Sequence, residues 1–353
     1  MMDFKQLFGI EINDFCIVFG KAYSLAEIEQ LGWDGFDTLV HRRRPLTRLF
    51  RYFSYSKDTL NNLENDTVYL TNAARFDDCF DCAVDLDWNL FFENRVKQYC
   101  FYLGIPTDDL SIEELVKLIA IKICQYGDEN KAIEASGKEL DESQRLSIEI
   151  LILSIYLVWK NGIEILPEIE KVIHNEYVDF INKFNYFKFT CFSTSPYNNR
   201  LWASKDNKGF CVEYEIDYKN ELYVNLFPVI YSQKRNDFLP LSLNNDKKPS
   251  IDDLWQIYFN GLLRKSLHWV DQDEWRLIQF ESDQEEKNSP FFKAKKVFIG
   301  NKMKAPERKA LIAICKEKGI PYVGVIRKPN SFDLMDCKGD CNTCERTKQD
   351  SKK

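Results

Sequence analysis

A chain of 353 residues exceeds one minimal domain and suits either a single large domain carrying an insertion or two domains. Hydrophobic residues at 44% and charged residues at 29% exclude a disordered chain, and a net charge of −7 excludes a protein whose whole surface serves to coat nucleic acid. The 11 cysteines are scattered, several of them inside apolar runs (Cys16, Cys124, Cys191, Cys211, Cys315). With an odd count and no recognisable leader, this usage points to a reducing cytoplasm.

The first 45 residues carry a short apolar strand, Phe15 to Gly20, and a helix from Ser24, whose side chain can cap it, to Leu31. His41, Arg42, Arg43, Arg44, Arg48 and Arg51 form a basic patch. The patch runs into a strand at Leu49 to Phe53. A short helix with Leu60 and Leu63 on one face and a second strand, Val68 to Asn72, follow, with the polar exit Arg75 to Asp81. This strand, helix, strand unit puts Arg51 near a sheet edge. From residue 88 to 187 the pattern turns helical. One helix starts at Ser111 with Glu114 three residues on, a capping box; one covers Gln144 to Trp159; a third follows Pro167 to about Phe184. The longest apolar run, Ile148 to Trp159, is too short to span a bilayer, so no membrane partner is expected. Gly127 to Leu140 reads as a loop.

The stretch Lys188 to Tyr214 opens as an alternating strand and then sets Ser193, Thr194 and Ser195 in a row before Pro196 ends the ladder. Leu222 to Tyr231 and Glu274 to Phe280 read as strands, with an exposed linker at 236–250 and a helix from Ile251 to about Leu267 between them. Val297 to Gly300, a helix from Ala305 to Lys318, and Tyr322 to Ile326 make a strand, helix, strand crossover, which favours a mixed sheet. The fold class is α/β (α+β), a mixed twisted sheet with a helical insertion. Residues 1–87 and 188–332 form its core, 88–187 the insertion and 333–353 a polar tail containing Cys337, Cys341 and Cys344. The C-x₃-C-x₂-C spacing of those thiols can hold an iron–sulfur cluster. No barrel repeat precedes it and no fourth zinc ligand is near, so incidental thiols in a tail are the plainer account.

Each candidate site residue has two readings. Consecutive hydroxyls at a strand end bind a polar ligand or satisfy a turn. Glu274, the first residue of a strand leaving an aromatic loop, can be a catalytic carboxylate held at fixed depth in a cleft, with Gln272 beside it. It can equally be paired with Arg276 or Lys265. The Arg51 guanidinium suits phosphate oxygens and suits Asp77, Asp78 or Asp81 as well. Tyr52, Tyr197 and Trp202 offer flat faces for a ring or packing for a core.

In this order, Arg51, then Ser193-Thr194-Ser195, then Gln272-x-Glu274, the motifs resemble the ADP-ribosyltransferase superfamily of the arginine-serine-glutamate type. The resemblance implies a core of that fold in which Arg51 contacts NAD phosphate or ribose. It also implies that Ser193 shapes the nicotinamide pocket, that Glu274 holds the ribose 2′-hydroxyl and stabilises an oxocarbenium-like transition state, and that Gln272 faces the acceptor. The chain is also similar to a widespread bacterial family known as a domain of unknown function. That likeness runs through Arg51-Tyr52, Thr59-Leu60, Val68-Tyr69, Phe76 to Asp81, Cys191-Phe192-Ser193, Leu201-Trp202, Gly209-Phe210, Lys265-Ser266, Trp269 and Glu274-Trp275-Arg276. Asp77 and Cys79 depart from that family's FNDPFD turn.

The expectation is therefore an NAD-dependent enzyme that passes ADP-ribose to a macromolecular acceptor or hydrolyses NAD, in a bacterial toxin or phage-defence setting. NAD is its substrate, and nucleic acid is a possible acceptor. Such chemistry needs one carboxylate and a dry aromatic pocket, and no metal. Two rivals stand beside it: a non-catalytic nucleotide- or protein-binding module, and a nuclease or RNA-binding effector with metal-dependent activity using Arg42 to Arg51 and the acids at 75–81.

Overall fold

The computed structural model describes residues 15–42, 46–72, 76, 81, 88–126, 131, 149–155, 157, 161, 164, 166–183, 186–233, 255–280 and 287–338. The chain divides into two compact units. One comprises Met1–Ala83, Asn185–Lys234 and Leu263–Lys353; the other comprises Val84–Phe184 and Arg235–Leu262.

The first unit is built on strands β1 (Phe15–Val18), β2 (Lys21–Ser24), β3 (Arg48–Phe53), β4 (Thr67–Leu70), β5 (Phe187–Ser193), β6 (Phe210–Glu215) and β7 (Leu226–Pro228). It continues with β8 (Ile230–Ser232), β9 (Arg264–Ser266), β10 (Glu274–Phe280), β11 (Lys287–Pro290), β12 (Ala294–Ile299), β13 (Tyr322–Arg327) and β14 (Leu334–Asp336). An eight-stranded sheet has the order β14-β13-β12-β6-β3-β5-β10-β7, a four-stranded sheet the order β2-β1-β8-β9, and β4 pairs with β11. The expected crossover is present: β12 and β13 pair in parallel, joined by the helix Ala305–Glu317, while their neighbours are antiparallel, so the sheet is mixed. Local chemistry sets the short helices. Ser24 caps Leu25–Gln30 by accepting from the backbone N–H of Glu27 at 3.0 Å, and Glu27 answers the Ser24 N–H at 2.8 Å.

Four expectations change. β5 does not alternate; it is buried on both faces along nearly its whole length, as a central strand between β3 and β10. The expected strand 222–231 is a tight turn at Glu221–Asn225, capped by Asn220, followed by two short strands. Pro228 has no N–H to extend the ladder, and at Val229 the chain passes from the eight-stranded sheet to the four-stranded one. The expected helix from 251 to 267 ends earlier, in a wide turn at Ile257–Leu262. β9 and a tight turn at Leu267–Gln272, capped by Ser266, take its place. Residues assigned to the polar tail include β14, which pairs with β13, and the buried Cys337. Leu334 packs on the cluster of Phe50, Trp202, Cys211, Phe298 and Val325, and the Asp336 carboxylate accepts from Tyr197 and from Lys296, both at 2.8 Å. The core therefore extends past residue 332. Cys341 and Cys344, like most of Gly127 to Leu140, lie outside the described residues.

The second unit is helical where it is described: Trp88–Tyr102, Ile112–Tyr126, Leu166–Lys183 and a buried apolar stretch with Leu151, Ile152 and Ile155. The Ser111–Glu114 capping box forms as expected. Glu176 ties two of the helices together, accepting from buried Arg95 at 2.6 Å and from the Tyr99 hydroxyl at 2.7 Å. None of the described helices is long and apolar enough to cross a membrane.

Candidate functional site

Sheet order does what sequence order cannot, which is to bring the three motifs side by side. Phe50 of β3 pairs with Ser193 of β5, and Ser193 pairs with Glu274 of β10. Phe50–Ser193 is the one register pair between β3 and β5. Beyond it the two strands diverge, and Thr71, just past β4, pairs with Phe189 instead. A cleft of 390 Å³ opens in this fork, within the roughly 300–1,000 Å³ range of small-molecule sites. Arg51, Tyr52, Ser193, Gln272 and Glu274 all border it, together with Thr190, Cys191, Lys205, Lys265 and Trp269.

The remaining predicted residues stand behind the cleft. Trp202 is 1% exposed, and its indole N–H donates to the Pro196 carbonyl at 2.8 Å, so it packs the core. Thr194 donates to Asp273, and Ser195 Oγ accepts from the Tyr197 N–H at 3.1 Å. These two hydroxyls fasten turns. Even at the cleft, Tyr52 is a strut: its hydroxyl donates to the Ser195 carbonyl at 2.8 Å and accepts from the Asn198 N–H at 3.0 Å. Ser193 Oγ donates to the Gln272 carbonyl at 2.8 Å, locking the end of β5 to the turn that carries the Gln-x-Glu.

Glu274 is buried, and its two oxygens are held by different cations. Oε2 accepts from Lys265 Nζ at 2.5 Å and Oε1 from Arg276 Nε at 2.7 Å. Asp81 closes the ring, paired with Lys265 at 2.9 Å and with Arg276. Both expected partners of Glu274 are thus used at once, and Asp81, expected as a partner of Arg51, belongs to this ring instead. Asp77 and Asp78 lie outside the described residues. Burial alone would raise the Glu274 carboxyl, but Arg276 and Lys265 outweigh it and hold it down at about 2. The carboxylate is therefore charged at any physiological pH. Lys265 also donates to Gln272 Oε1 at 3.0 Å, which leaves the Gln272 amide N–H₂ as the group it can offer a ligand.

Arg51 is placed differently. Side chains alternate along a strand, so Arg51 turns away from the side of Phe50 and Tyr52, toward Phe53 and Phe192. Its guanidinium carbon lies 5.0 Å and 5.9 Å from those ring centroids. Glu274 and Ser193 share the side of Phe50. Arg51 and Glu274 thus meet at one cleft from opposite sides of the sheet. The rim is cationic as well. Arg200 lies over the Trp269 ring at 5.0 Å, and Lys205 has no carboxylate partner among the described residues.

The sequence pattern names Lys265 and Arg276 as alternative partners of Glu274 but gives no sign that both act at once or that Asp81 joins them. The signal available was the spacing Lys265…Glu274-Trp275-Arg276, three charges on two short strands. Set against known families, curated proteins and solved structures, the chain finds no match.

Proposed function

We propose that the fork binds NAD and cleaves its nicotinamide–ribose bond, passing ADP-ribose to a macromolecular acceptor or to water. The observation that carries this reading is the carboxylate of Glu274, fixed at the fork beside Asp81 and kept charged. When the glycosidic bond breaks, its electron pair leaves with neutral nicotinamide and the ribose becomes cationic. A charged Glu274 stabilises that cation, and a lone pair not used by Lys265 or Arg276 accepts from the ribose 2′-hydroxyl. No proton need move at Glu274, which agrees with its depressed pKa. The Gln272 amide orients the incoming nucleophile, whose lone pair forms the new bond to the ribosyl carbon and whose proton leaves to solvent, and Arg51 meets phosphate.

The test is nicotinamide released from NAD by the wild type, by Glu274→Gln and by Gln272→Ala, with and without cell lysate. Loss of release in Glu274→Gln, with thermal melting still cooperative, supports the reading, and lysate stimulation marks transfer over hydrolysis. Gln272→Ala leaves the charged ring whole, so it should lower transfer more than hydrolysis. Wild-type protein that folds and releases no nicotinamide overturns the proposal.

One observation favours a second reading, a non-catalytic nucleotide-binding module: both Glu274 oxygens are already paired, as in a structural ion cluster. ADP-ribose binding without NAD turnover would select it.

A further inference from the structure

Two polar atoms bordering the fork are buried with no hydrogen-bond partner among the described residues: Nη1 of Arg51 and Oγ1 of Thr190. Either one is costly. A buried donor left unmet destabilises the fold, and more so when it is charged. Thr190 is only 2% exposed, and no hydrogen bond among the described residues offsets the burial of its hydroxyl. Arg51 makes one long contact, Nη2 to the Tyr69 carbonyl at 3.4 Å, and otherwise lies against Phe53 and Phe192. Burial lowers its pKa, and the groups that counter this are Tyr214 and Cys191, neither of them a carboxylate. A desolvated cation of this kind is stabilised by an anion.

The two atoms also belong together. Both residues border one cleft, and the Arg51 guanidinium lies 5.9 Å from the ring of Phe192, two residues from Thr190 on β5. Alternation turns Arg51, Phe192 and Thr190 to one side of the sheet, the side away from Glu274.

We propose that Arg51 and Thr190 form a two-point site for phosphoryl oxygens, the guanidinium Nη1–H and the threonine O–H donating to one phosphate or pyrophosphate group in the fork. A guanidinium and a hydroxyl, both donors, match a tetrahedral group rich in acceptors. Thr190 is the residue newly assigned to binding. As one end of a dinucleotide site the assignment rests on the reading above; as an anion site it stands without bond cleavage.

Inorganic pyrophosphate is titrated calorimetrically into the full chain, with melting temperatures measured in parallel. Arg51→Met should abolish binding. Thr190→Val should weaken it about tenfold, the worth of one hydrogen bond to a charged group, while its melting temperature stays level or rises because no fold contact is lost. Thr190→Ser, which keeps the hydroxyl, should bind like the wild type. Three results would each overturn the proposal: no wild-type binding, unchanged binding in Thr190→Val, or a lowered melting temperature in that variant. Pyrophosphate binding with this pattern in a protein that releases no nicotinamide leaves the anion site standing and removes the transferase reading.

Discussion

On the Glu274 side of the fork Asp81, Lys265, Glu274 and Arg276 answer one another's charges, whereas on the Arg51 side a guanidinium nitrogen and a threonine hydroxyl are buried without partners among the described residues. The same two strands, β3 and β5, border both arrangements, so the difference is one of use. A closed ring of two acids and two bases holds structure: it joins β9 of the four-stranded sheet, β10 of the eight-stranded sheet and the segment at Asp81. Unmet donors add nothing to the fold and are retained at a cost. Stability and binding should therefore separate across the sheet.

The largest expected effect comes from breaking the ring. Arg276→Met leaves Asp81 and Glu274 with Lys265 as their shared counterion and should cost about 3–5 kcal/mol, read as a fall in the urea midpoint at constant slope. A loss under about 1 kcal/mol would mean that the ring is hydrated and contributes little.

The ring's pH dependence comes next. The Glu274 carboxyl titrates lower in the folded chain than unfolded, so its stabilising contribution is complete above the unfolded value and is lost as pH falls from about 4.5 to about 2. That contribution is on the order of 3 kcal/mol. Wild-type stability minus that of Glu274→Gln should be flat from pH 8 to pH 5 and shrink below pH 4. A step near neutral pH would show that Glu274 is not held down by its cations, and would restore it as a candidate general acid or base.

The other side of the comparison predicts the opposite sign. Arg51→Met keeps the aliphatic stem against Phe53 and Phe192 and removes the desolvated charge, so the ligand-free protein should gain about 1 kcal/mol. Lost stability here would mean that Arg51 is a structural cation like Arg276, and the two sides would no longer differ.

How much of this could be read from the chain varies residue by residue. Helix starts at Ser24 and Ser111 were legible because capping is local chemistry within three residues. The break at Pro228 is not legible although the proline is visible, because the apolar run on both sides of it outweighs one absent N–H. The stretch WQIYFNGLL is helical to Leu262 as expected, but its nearly continuous apolar run carries no period that marks the change to β9 and a tight turn beyond it. At the site, the order Arg51, Ser193, Glu274 was legible, but their meeting depends on β5 lying between β3 and β10, a non-local pairing. Trp202 and Tyr52 look alike in sequence as flat faces. Burial makes the first a core residue and two hydrogen bonds make the second a strut.

The smallest predicted effect tests whether burial is what gives the ring its weight. Arg200 and Asp271 form an ion pair at 3.3 Å on the rim of the same cleft, with side chains 45% and 46% exposed. Distance alone would rank this pair near the pairs of the ring. Solvent screening predicts otherwise, because exposed pairs contribute little and their long side chains lose entropy when held. Asp271→Asn should change stability by no more than about 0.5 kcal/mol, and less again in 0.5 M salt. Arg200 keeps its place over the Trp269 ring and its bond to the His268 carbonyl at 2.5 Å, so the rim stays formed in the variant. A loss approaching that of Arg276→Met would shift the weight from burial to charge density across the whole cleft, and the Arg51 side would then need an anion for stability as well as for binding.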